Sequence, residues 1–316
     1  MEKTKFGLFR PQYTADGSAH EMMKSLSDAA KRAESHGFDS FWLMDHFYQV
    51  ESQGKVPDPV LDTWTALAAV AAVTERIRLG TLVTANIFRY PSLLAKITST
   101  VDVLSNGRVF PGLGAAWAEE EAKAYGIPFP PAEERLDRLE EAVQILTKMW
   151  TEERSTFSGK YYQIQEAYCN PKPIQKPHPP LLIGGSGERR TLKIVAKYAD
   201  ASNVFGSPAT VKRKLDVLRE YCRVLNRDYD SILKTKIINV FIYRDREEAK
   251  RRVASVLETE NQIEINDYAT YGNPDDILLQ LQELRAVGIE YFMVHLEPTR
   301  ESEALDLFTD RVAEKL

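Results

Sequence analysis

The chain has 316 residues, 43% of them apolar, enough for a large core, and its two cysteines, Cys169 and Cys222, lie too far apart to suggest a disulfide framework or a thiolate metal site. A formal net charge of -5, with neither a basic block nor a long acidic tail, makes no electrostatic case for nucleic acid or an anionic membrane. The N-terminus passes from Lys3 and Lys5 straight into Phe6-Gly7-Leu8-Phe9, and no run approaches the roughly 20 apolar residues that span a bilayer, so a soluble cytoplasmic protein acting on small molecules is expected.

Residues 6–9 read as a first strand, and Met22, Met23, Leu26, Ala29, Ala30 and Ala33 fall at helical spacing before Gly37 stops the helix. Residues 39–44 form a second strand ending at Asp45-His46-Phe47. A polar loop then runs to Asp58, long enough to shape a site. The helix over residues 64–73 is apolar almost all round, which suits a subunit interface. Residues 77–84 make a third strand. Phe88-Arg89-Tyr90-Pro91 leads into a helix bearing Leu93, Leu94, Ile97, Val101 and Leu104, Gly107 ends it, and residues 109–114 make a fourth strand. Both strands of this βαβ unit end in small or hydroxyl residues, Thr84-Ala85 and Gly114-Ala115-Ala116. A flat ligand could lie there, and glycines that only permit tight packing are the plain alternative.

The second half continues the alternation. A short helix over 119–125 is broken by Pro128-Phe129-Pro130-Pro131, a long helix covers 135–150, and a hairpin around Gly159 lies in a segment, 152–179, that reads as an insertion between strands four and five. Strand five, 180–183, runs into Gly184-Gly185-Ser186-Gly187-Glu188. Arg189 opens the next helix. Strand-like runs at 201–205, 236–243 and 291–296 alternate with helices at 209–225, 247–257, after Asn273-Pro274, and at 305–312. About eight strands alternating with helices imply one closed (β/α)8 TIM barrel over residues 1–316.

In such a barrel, ligands sit at the carboxyl ends of the strands. Asp45-His46 offers an acid–base pair, although adjacent strand residues point opposite ways. The backbone amides of residues 184–188, at a helix start, could hold a phosphate. Metal chemistry is not expected, because His20, His36, His46, His178 and His295 show none of the spacing that gathers ligands.

Arg89-Tyr90-Pro91, Leu94-Ala95-Lys96, the run from Thr100 through Asp102 and Ser105-Asn106-Gly107-Arg108, and Gly112-Leu113-Gly114-Ala115-Ala116-Trp117 follow one another in an order that resembles the bacterial luciferase-like flavin and deazaflavin oxidoreductases, over nearly the whole chain. The resemblance implies hydride transfer with the deazaflavin coenzyme F420, its ring resting near Asp45, Leu82, Val83, Thr84, Gly114, Ala115 and Ala116 and its phosphate linkage at Gly184, Gly185, Ser186, Gly187 and Glu188. It implies a non-proline cis peptide at Leu82-Val83 and a homodimer through the helices after strands two and three. Asp45-His46-Phe47 is similar to a step of the F420-dependent sugar-phosphate dehydrogenases, with His46 facing the reacting carbon. Where those enzymes carry a glutamate this chain has Trp117, which implies an aromatic wall for a less polar substrate. An FMN-dependent monooxygenase and a non-catalytic flavin-binding barrel are the two alternatives. The substrate pocket is expected from residues 47–58, 152–179 and 259–273.

Overall fold

The computed structural model describes residues 4–11, 19–50, 56, 58–257 and 269–316. Its strands are β1 (Lys5–Phe9), β2 (Ser40–Asp45), β3 (Arg78–Ala85), β4 (Val109–Phe110), β5 (Gly112–Gly114), β6 (Ser155–Ser158), β7 (Gln163–Ala167), β8 (Leu182–Gly184), β9 (Ala201–Asn203), β10 (Leu233–Ile242), β11 (Ala269–Gly272) and β12 (Tyr291–Leu296). The pairing order β10-β12-β1-β2-β3-β5-β8-β9 is parallel throughout, and β9 pairs back onto β10 to close the wall. Pro111, which has no N–H to donate, separates β4 from β5, and the two pieces together make the fourth of eight barrel strands. The (β/α)8 barrel expected from the alternation is the fold observed.

Two details differ from the expectation. The lower part of β10, Leu233 to Thr235, pairs with β9, but its upper part, Asn239 to Ile242, pairs with β11. Residues 269–272, expected only as pocket-lining loop, thus satisfy the backbone that β9 leaves open. The helix after β8 starts at Thr191 and not at Arg189. Residues 51–55, 57 and 258–268, parts of two expected pocket loops, lie outside the described residues.

The helices between strands begin and end on local chemistry. Helix α1 (Met22–Ser35) ends before Gly37, whose φ is +75°. In α2 (Thr63–Ala71) the Asp62 side chain accepts from Thr65 N–H. Helix α3 (Pro91–Leu104) has Pro91 in its first turn and stops at Asn106 and Gly107, both at positive φ. Then come α4 (Glu119–Ala124), α5 (Ala132–Thr151), α6 (Thr191–Tyr198) and α7 (Pro208–Val224). The helix Pro274–Ala286 opens with a capping box between Asn273 and Asp276. Between α5 and β8, the antiparallel pair β6–β7 is the expected hairpin. The segment after it is tied down by the buried Asp102 carboxylate, which accepts from Ile174 N–H, Gln175 N–H and the Gln175 amide.

One hydrophobic cluster fills the space between wall and helices. A second lies inside the barrel and includes Phe9, Trp42, Met44, Phe110, Leu182, Tyr291 and Met293. Trp42 is fully buried, and its indole occupies the space that side chains at Gly7 and Gly80 would otherwise take. The lower barrel is therefore plugged. Above the plug, Leu82, Val83, Ile237, Asn239 and His295 are partly exposed, so the open end is the one where the strands finish.

A Cβ on Gly80 would overlap the Trp42 ring. Gly80→Ala is expected to destabilise by about 2–3 kcal/mol, as overpacked cores do, measured by urea unfolding followed by tryptophan fluorescence. Unchanged stability would show that the plug can shift freely.

Candidate active site at the barrel mouth

At the end of β3 the Leu82-Val83 peptide is cis, as the resemblance implied. The Val83 side chain crosses the mouth. Cβ atoms built on Gly114 and Gly184 would each lie 2.7 Å from a Val83 methyl, and one on Gly112 would meet the Thr81 carbonyl. These glycines thus first make room for the protein's own valine. What remains accessible is Leu82 and Val83 themselves, with Ala115 and Ala116 beside them.

His46 and Asp45 separate as their positions on a strand end demand. The His46 Nδ1 atom lies 2.7 Å from Glu121 Oε2, and the Phe47 backbone N–H donates to Glu121 Oε1. Glu121, on α4, is only 1% exposed. Ala116 adopts φ +64°, a conformation rare outside glycine, and the next residue, Trp117, sets its ring edge-on to His46 at 5.4 Å between centroids while remaining 65% exposed. Phe47 in turn stacks on Tyr125 at 4.3 Å and packs on Phe88 at 4.5 Å. An aromatic surface therefore flanks the imidazole.

Asp45 turns away from the mouth. Arg89 Nη1 donates to its carboxylate at 2.6 Å and Arg89 Nη2 to Asp62 at 2.7 Å. Burial pushes the Asp45 carboxyl upward, opposed by the Arg89 charge and by a hydrogen bond with Thr84. Thr84 is fully buried and its hydroxyl also accepts from Trp64 Nε1 at 3.1 Å. The structure thus brings His46, Leu82, Val83, Ala115, Ala116 and Trp117 to the mouth, and leaves Asp45, Thr84, Gly114 and Gly184 beneath its surface.

The loop after β8 holds Gly185 at φ +98°, with Gly185 and Ser186 partly exposed and Gly187 exposed. Lys214, from α7, places Nζ 2.8 Å from both Ser186 Oγ and the Phe205 carbonyl, while Glu188 pairs with Arg213 at 2.9 Å. Arg190, just beyond the loop, is committed to Asp137. Lys214 brings a cation to this loop, and sequence reading missed it because it comes from a helix one strand later. Among the described residues no group of three or more His, Cys, Asp or Glu could hold a metal ion.

Sequence reading also passed over His295, near the end of β12. Its Nδ1 lies 3.1 Å from Asn239 Oδ1, its ring packs edge-on to Phe9, and its buried Nε2 has no hydrogen-bond partner among the described residues. Burial, reinforced by the nearby Arg10 charge, pulls its pKa down to about 4.

The family described as luciferase-like monooxygenase matches residues 4–306. The chain belongs to that family. An F420-dependent glucose-6-phosphate dehydrogenase of Amycolatopsis mediterranei is 28% identical over 324 residues, covering 93% of this chain and 94% of that one. Among solved structures, the coenzyme F420 dependent tetrahydromethanopterin reductase from Methanopyrus kandleri aligns with TM-score 0.82 and 20% identity over 99% of both chains. The oxygenating constituent of 3,6-diketocamphane monooxygenase from Pseudomonas putida, in complex with FMN, aligns with TM-score 0.80 and 18% identity over 100% of this chain and 99% of that one. At these identities the two structures speak for the family's barrel alone.

His295 makes one acid-stability prediction. Unfolded, it takes a proton near 6.5; folded, only near 4. The unfolded chain binds the extra proton between those values, so stability is lost as pH falls through that window, by up to about 1.4 kcal/mol per pH unit. His295→Phe is expected to flatten this acid limb when urea unfolding is compared at pH 7 and pH 5. An equal slope in the variant would assign the limb to other groups.

Proposed function

We propose that this oxidoreductase carries out hydride transfer between the deazaflavin coenzyme F420 and a small organic substrate, with His46 as the proton donor or acceptor. The observation that carries the reading is the paired His46–Glu121 group standing at the mouth beside an accessible Leu82-Val83 surface. A flat ring fits that surface, since Val83 offers apolar contact and Ala115 and Ala116 add little bulk. An anionic tail would fit the loop at Gly185 and Ser186, where the Lys214 ammonium lies against Ser186 Oγ. When bound, the coenzyme would supply two-electron hydride chemistry. The protein's part is to orient the substrate, exclude water and move the proton at His46. The F420-dependent relative from Amycolatopsis supports this choice of coenzyme.

The aromatic surface of Trp117, Phe47, Phe88 and Tyr125 favours an alcohol or carbonyl compound less polar than a sugar phosphate. FMN shares the tricyclic ring, and a flavin-dependent monooxygenase is the second reading, in keeping with the matched family's description as luciferase-like monooxygenase. We further infer that residues 1–316 act as one domain and that two copies pair through α2 and α3, where Leu93 and Leu104 are exposed. Among the described residues no helix is long and apolar enough to cross a membrane.

Titration of the purified protein with F420 and with FMN is expected to show preferential binding of F420; exclusive binding of FMN reverses the order, and binding of neither favours a non-catalytic barrel. His46→Ala should leave F420 affinity nearly unchanged and lower F420-linked turnover of alcohols by about 10²–10⁴-fold. Full turnover in that variant would remove His46 from the chemistry. Sedimentation should report a dimer of the 35.9 kDa chain. A monomer at micromolar concentration would refute the pairing.

A further inference from the structure

Glu121 lies 75 residues beyond His46 in the chain, yet its carboxylate is the only partner the described residues offer the imidazole's Nδ1. A carboxylate buried this deeply must be matched by donors. It has two, the His46 ring and the Phe47 backbone N–H, one on each oxygen. Both oxygens are therefore occupied, and Glu121 is not free to serve as a second acid toward a substrate. The imidazole also packs against the Trp117 ring, the two rings inclined at 68°. Asp45, next in sequence, is engaged by Arg89 and does not compete for the ring.

We propose that Glu121 is the positioning residue of the site, holding neutral His46 as its Nδ1–H tautomer and turning Nε2 toward the mouth. The inference builds on the reading of His46 as the proton-transfer group and names the nitrogen at which that proton moves. In the direction of substrate oxidation, Nε2 would take the proton from the substrate's hydroxyl oxygen as the carbon bearing that oxygen gives up its hydride and becomes a carbonyl carbon, a bound F420 being the two-electron acceptor; in reduction the imidazolium would return the proton to the oxygen. A carboxylate behind Nδ1–H stabilises the imidazolium formed and prevents the ring from offering its other face. Ala116 at positive φ and the single turn between Trp117 and Glu121 let one loop deliver both the Trp117 ring and the carboxylate.

The test reads the tautomer directly. With histidine labelled by nitrogen-15, long-range proton–nitrogen spectra of the full chain at neutral pH should show His46 as a single Nδ1–H form. Glu121→Gln keeps the shape but has one acceptor oxygen for two donors, and Glu121→Ala has none, so both variants should populate the Nε2–H form. Glu121→Gln should still bind F420 within about twofold of the parent, because it leaves the Leu82-Val83 surface and the loop at Gly185 and Ser186 untouched. An Nε2–H form in the parent, or an unchanged Nδ1–H form in both variants, overturns the proposal. Should the alanine variant fail to fold, the near-isosteric glutamine variant decides. Loss of F420 binding by the parent itself would sink the functional reading while leaving the tautomer result to stand or fall alone.

Discussion

The mouth of this barrel depends on where one valine can go. Val83 points across the upper interior, and it fits because Gly112, Gly114 and Gly184, on two other strands, contribute no side chains to that space. A close-packed interior leaves no spare volume, so a methyl on any of these glycines would have to displace Val83 or the strand itself. With Trp42 closing the lower barrel between Gly7 and Gly80, the interior is filled to the level of Val83 and open above it. The glycines of the βαβ unit thus shape a ligand surface indirectly, by admitting the residue that forms it.

Charge at the rim follows the same economy of space. Three acidic groups, Asp45, Asp62 and Glu121, stand close to the end of β2, and each has its donors: Arg89 spans the two aspartates, and His46 with the Phe47 amide serves Glu121. Buried carboxylates are tolerated only with such partners, and removing one partner leaves an uncompensated charge. The outcome is a rim on which His46 stands beside aromatic rings and the accessible Leu82 and Val83. At the far side, Lys214 bridges the loops after β8 and β9 and places positive charge where a glycine loop offers amides.

Much of this was legible along the chain. Helical spacing of apolar residues, Gly37 and Gly107 as stops, and Asn273-Pro274 as a start all mark element boundaries, because caps and periodicity are local properties. His46 and the glycine loop could be placed at strand ends for the same reason. What escaped was every contact made at long range. Glu121 reads as one acid among three on a short helix, Lys214 as an ordinary surface lysine, His295 as a histidine without a motif, and residues 269–272 as loop.

By itself, the order of residues determined the alternation of strand and helix, and with it the closed barrel. Those follow from hydrogen bonding and apolar burial within and between neighbouring segments. Only the tertiary structure decided that Val83 and not a ligand fills the space above the glycines, that Asp45 turns outward to Arg89, and that His46 acquires a carboxylate behind it. Each of these depends on a side chain brought in from another strand or helix, and such meetings are settled by packing in three dimensions.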